Sequence, residues 1–118
     1  MSESAWVQHG SAKGRALENG YEFVLSDVTS QAKVYKQKLR DLLRTHMALT
    51  PRGGEFDVEI TIDLNPNFPA IDLDNVAKAV LDGIKGFVFY DDSQVMRLLV
   101  EKRWAQSERV LVQVVARG

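Results

Sequence analysis

A chain of 118 residues, 45% hydrophobic and 26% charged, has the make-up of one soluble globular domain long enough to bury a core without crosslinks. It contains no cysteine and only two histidines, which excludes disulfides and thiolate ligands and argues against a histidine-rich zinc site; any metal is expected on oxygen ligands, favouring magnesium, manganese or calcium. No apolar run reaches membrane-spanning length and the first residues lack a signal peptide's pattern, so a cytoplasmic protein with no membrane partner is expected.

The net charge of −1 is unevenly spread. Residues 30–52 carry Lys33, Lys36, Lys38, Arg40, Arg44 and Arg52 against Asp41 alone, a balance of +5. Residues 53–92 carry nine acids against Lys78 and Lys85, a balance of −7, and residues 93–118 return to +3. Cations beside a block of carboxylates suit a metal-dependent nuclease, which must hold both a phosphate backbone and a metal. Ordinary surfaces also show such asymmetry.

Residues 1–20 are poorly patterned and expected to be partly flexible; Ala5-Trp6-Val7 reads as a short strand, and Gly10, Gly14 and Gly20 mark loops. Tyr21 to Leu25 reads as a strand. From about Val28 the recurrence of Ala32, Tyr35, Leu39, Leu42, Leu43 and Met47 predicts a helix, capped by Thr29 or Ser30 and stopped by Thr50-Pro51-Arg52-Gly53-Gly54. Lys36, Arg40 and Arg44 follow one another along one flank of that helix, with Lys33 beside them, and a phosphate backbone would relieve their mutual repulsion. A solvated helix face is the plainer explanation.

Glu55 to Leu64 alternates Phe56, Val58, Ile60, Ile62 and Leu64 with acids and Thr61, which predicts a strand with one buried face and one acidic face. Asp63 lies near its end, where it could approach a site beyond. A second helix is expected from Asp72 or Asp74 to Ile84, burying Val76, Ala77, Val80, Leu81 and Ile84, with Asp74, Lys78 and Asp82 in a polar stripe. Phe87 to Tyr90 is an apolar run leading to Asp91-Asp92, and Val95–Trp104 and Arg109–Val115 read as a C-terminal hairpin. The expected fold is α/β (α+β), one domain over 1–118, with a mixed β-sheet and two main helices packed on it.

The four carboxylates Asp72, Asp74, Asp91 and Asp92 with Lys78 need an explanation beyond structure. Helix capping accounts for one aspartate. A calcium loop starting at Asp72 would need glycine at its sixth position and glutamate at its twelfth, where the chain has Ala77 and Gly83. An exposed Asp74–Lys78–Asp82 network explains the stripe but not Asp72 or Asp91-Asp92. A divalent cation among the carboxylates is a further reading that stands beside the structural ones, and it needs Asp91-Asp92 to fold back beside the helix start.

The run Asp72-Leu73-Asp74-Asn75-Val76-Ala77-Lys78, then Asp82, then Phe89-Tyr90-Asp91-Asp92-Ser93-Gln94-Val95, with Lys102 beyond, resembles the RusA-like Holliday junction resolvases. The detailed likeness covers about residues 71–103. It implies a homodimer that binds four-way DNA junctions and cuts two opposed strands with Mg²⁺, Mn²⁺ being possible. By motif position Asp72, Asp74 and Asp92 would be catalytic and bind the metal, Lys78 would be the catalytic lysine, and Asp91 and Asp82 would either orient Lys78 or support the site from behind. Lys33, Lys36, Arg40 and Arg44 would supply sequence-independent contacts to DNA. The chain departs from the family in the uncharged stretch Asn65 to Ile71 and in lacking a recognisable proline-containing basic strand among Ala5 to Arg15. A non-catalytic DNA-binding module of the same fold is the alternative expectation.

Overall fold

The structure, a computed structural model, describes residues 5–67 and 70–118. Its elements run β1 (Val7–His9), β2 (Ala12–Leu17), β3 (Gly20–Leu25), α1 (Lys33–His46), β4 (Phe56–Leu64), α2 (Leu73–Ile84), β5 (Val95–Trp104) and β6 (Arg109–Ala116), with a short 3₁₀ turn at Asp92–Gln94. The predicted α+β class with two helices on a mixed sheet is the class observed.

The alternation in β4 does what period two requires. Phe56, Val58, Ile60, Ile62 and Leu64 are all buried and join α1 and α2 in one core with Phe23, Leu25, Val110, Val112 and Val114. The two helices pack closely because Gly83 of α2 lies over α1. A Cβ at Gly83 would stand 3.0 Å from Leu39 Cβ and 3.3 Å from Lys36 Cα. Arg40 ties the pair together from outside the core, donating to the Asp82 carbonyl at 3.1 Å while its guanidinium lies over the Phe87 ring.

The opposite face of the sheet is a ladder of ion pairs. Glu59 meets Arg97 at 3.0 Å, Asp57 meets Arg117 at 2.6 Å, and Asp63 is held by both Arg103 and Arg109. Asp63 therefore does not approach the acidic helix start; it points away from the helices.

The sheet order is β1-β2-β3-β6-β4-β5, antiparallel throughout except for β4 with β5. This corrects the expected C-terminal hairpin: β5 has the predicted limits and β6 runs one residue further, to Ala116, but the two flank β4 on opposite sides. Their short connection crosses the end of β4, where Ala105 N donates to the Leu64 carbonyl. α2 makes the crossover that a parallel β4–β5 pair requires.

The N-terminal region also differs from expectation. Residues 7–9 and 12–17 pair as two further strands. Helix α1 starts later than predicted, at Lys33. Ala32 occupies the N-cap with no side-chain bond, whereas Thr29 closes its own turn onto Gln31 N and accepts, through its carbonyl, the Tyr35 hydroxyl.

Candidate active site

Asp72 caps α2. Its Oδ1 accepts from Asp74 N at 2.9 Å and its Oδ2 from the Asn75 side chain at 3.4 Å, so both oxygens face the exposed first turn. Buried Ile71 just before the cap and buried Val76 inside the helix fix the entry angle as a hydrophobic staple does. The same local rule that starts the helix thus places Asp72 and Asp74 at the solvent end of α2, where the helix dipole favours negative charge.

One helical face further on, Asn75, Lys78 and Asp82 line a groove of about 630 Å³ between α2 and the start of α1, with Lys33 and Lys36 on its other wall. Lys78 is exposed and makes no ion pair among the described residues. Of the four basic residues expected to meet DNA, Lys33 and Lys36 line this groove and Arg44 is exposed in the last turn of α1, whereas Arg40 is occupied in bridging the helices.

Asp91 and Asp92 lie at the other end of α2. Asp91 caps the 3₁₀ turn, accepting from Ser93 N at 3.0 Å, and pairs with Lys85 at 3.6 Å. The Ser93 bond, then Lys85, holds its carboxyl below the usual range. Gln94 completes the capping box: its carbonyl oxygen accepts from Tyr90 N and Asp91 N, and its amide nitrogen donates to the Arg52 and Gly54 carbonyls. The turn is thereby fastened to the loop before β4. Gln94 is a site-forming residue to which the sequence reading gave no role, although Asp-x-x-Gln is a capping-box signature.

Asp92 is what this turn presents. It is half-buried, and its Oδ1 is buried with no hydrogen-bond partner among the described residues. Burial pushes its carboxyl up; Lys85 opposes this, and the Asp82 and Asp91 charges add to it. A carboxylate oxygen removed from water, with the charges of two further acids acting on it, fits a hard cation.

The residues expected at the metal are thus divided. Asp72 and Asp74 stand at the start of α2, while Asp91 pairs with Lys85 just past its end and Asp92 follows in the next turn; Asp82, whose charge Asp92 feels, lies about 15 Å along the helix from Asp72 at 1.5 Å per residue. Among the described residues no three acidic or histidine side chains gather as a metal cluster. The expectation that Asp91-Asp92 fold back to the helix start is not met within one chain, because β5 runs parallel to β4 and so begins at the far end of the sheet.

Comparison with protein families matches residues 10–115 to Endodeoxyribonuclease RusA. That places the protein in the class of DNA-cleaving endonucleases. The match spans nearly all of the 118 residues, and the chain belongs to the RusA endodeoxyribonuclease family, whose members resolve Holliday junctions and depend on a divalent metal. No curated protein matches the chain. Among the described residues no helix is long and apolar enough to cross a membrane.

Proposed function

We propose that the protein is a cytoplasmic, magnesium-dependent endonuclease that resolves four-way DNA junctions as a homodimer, with manganese as an acceptable substitute. The observation that carries this reading is Asp92, a carboxylate with a buried, unpartnered oxygen on a turn built to hold it, in a chain of this family. Asp72, Asp74 and Asp92 would hold the cation. When bound, it would supply the charge that acidifies an attacking water and polarises the scissile phosphate. Lys78, uncommitted at the groove edge, would offset the charge developing on the phosphate oxygens. Lys33, Lys36 and Arg44 would hold the backbone without reading bases, and Arg40 would serve that surface by holding α1 to α2.

The division of the carboxylates favours a dimer. β5 is an edge strand with Met96, Leu98 and Leu99 exposed. Pairing it with β5 of a second copy about a twofold axis runs the strands antiparallel. The Asp92 end of one copy then lies beside the Trp104 end of the other, where β4 stops and the chain turns into α2. With Leu99 opposite its own copy, each Arg97 faces a Glu101, whereas centring on Val100 would set Arg97 against Arg103. On this pairing each metal site takes Asp72 and Asp74 from one copy and Asp92 from the other.

Incubation with a labelled four-way junction under Mg²⁺ or Mn²⁺ tests the reading. Wild type should cut two opposed strands, and Asp74→Asn should lose about 10²-fold or more of that rate. Equal inertness of both proteins would remove the enzyme, and salt-dependent junction binding without cutting would leave the non-catalytic DNA-binding module.

A further inference from the structure

The two histidines of this chain, 37 positions apart, meet. His9 ends β1 and His46 ends α1; both are exposed, their ring centroids lie 5.3 Å apart at 51°, and His9 Nδ1 stands 3.3 Å from His46 Nε2. We propose that this pair is a second metal site, separate from the carboxylates, which binds a zinc-class divalent transition ion with its remaining positions open to water.

Three features support the assignment. Two nitrogens bound at ~2.0–2.1 Å to a tetrahedral zinc ion stand about 3.3–3.4 Å apart, the separation already present here. Turning each lone pair about 35° off the nitrogen–nitrogen line aims both at one point, and two exposed rings have the freedom to do so. The ligating nitrogens also leave His9 Nε2 and His46 Nδ1 to carry the remaining protons, so both imidazoles bind neutral. Imidazole prefers zinc, copper and nickel, whereas carboxylates prefer magnesium and manganese, so the two sites select different ions. A bound ion would clip a three-residue edge strand to the end of a helix, joining the most weakly anchored strand of the sheet to the core.

The competing account is a single N–H···N hydrogen bond between neutral tautomers, which needs no metal. Titrating Zn²⁺ into the full chain, with Mg²⁺ in large excess to occupy the carboxylates, separates the two. The proposal expects one zinc per chain by calorimetry, joint shifts of both histidine C2 protons in the NMR spectrum, and a melting temperature that climbs with Zn²⁺. Loss of even an outer partner of a metal ligand commonly costs 10–100-fold, so His9→Gln and His46→Gln should each weaken zinc binding by at least roughly tenfold. Both substitutions fall on exposed side chains, and circular dichroism of each variant checks that it is folded. Zinc affinity unchanged in both variants, or no binding at millimolar Zn²⁺, overturns the proposal.

Discussion

At the scale of the residue, Asp92 sets function against stability. A carboxylate kept from water, with the Asp82 and Asp91 charges acting on it, costs free energy when charged, and Lys85 offsets part of that cost. With divalent ions chelated, Asp92→Asn should therefore raise the melting temperature in calorimetry while abolishing junction cleavage. A fall in melting temperature would show that the charge is already compensated.

Asp63 works in the opposite sense. Burial alone would raise its carboxyl, but the hydrogen bonds and charges of Arg103 and Arg109 prevail and hold it low. Its folded value lies below its unfolded one, so its stabilisation is present above about pH 4 and is lost as pH falls through the folded value. Both arginines are about half exposed, so Asp63→Asn should cost about 1–2 kcal/mol at pH 7 rather than the larger penalty of a fully buried pair. The loss should shrink on acidification, as denaturant midpoints measured between pH 7 and pH 2 would show. Asp92 contributes the reverse trend, relaxing as it protonates.

At the scale of the element, the 3₁₀ turn is capped by Asp91 and Gln94, and Gln94 also ties it to the rest of the fold. Gln94 closes the capping box and reaches the loop before β4, so Gln94→Ala should lower stability by about 1–3 kcal/mol in urea unfolding. It should also slow cleavage by releasing Asp92, and unaltered kinetics would show that the turn holds without it. The elements legible in the sequence were those whose periodicity is local. The strict alternation from Phe56 to Leu64 and the apolar arc of α2 identified a strand and a helix within a residue or so of their ends. Pairing was not legible, because alternation states that a strand has two faces and does not name its neighbour. Val95–Trp104 and Arg109–Val115, joined by four residues, look like a hairpin until β4 enters between them. The short β1 and β2 escaped for a related reason: Gly10 and Gly14 mark turns and close contacts in paired strands as readily as they mark loops. The sequence singled out Asp72, Asp74, Lys78, Asp91 and Asp92 as candidates by motif. Their arrangement was not legible, since a parallel strand pair separates what the sequence lists close together.

At the scale of the whole molecule, the proposed twofold makes a test that needs no structure. Asp74→Asn and Asp92→Asn, each inactive alone, should recover activity when unfolded together and refolded as a mixture. Each mixed dimer would hold one site with both defects and one with none, so the product should be a single nick rather than paired cuts, read on a denaturing gel. If each chain carried its own complete site, mixing would restore nothing. Leu99→Asp at the axis should shift sedimentation towards the monomer.

The parallel pairing of β4 with β5 then has a consequence for how such an enzyme is kept in check. A lone chain, newly made or highly diluted, would carry two half-sites too far apart to cooperate. Below the dissociation constant of the pair, nicking would rise with the square of protein concentration, so scarcity itself would shield intact DNA.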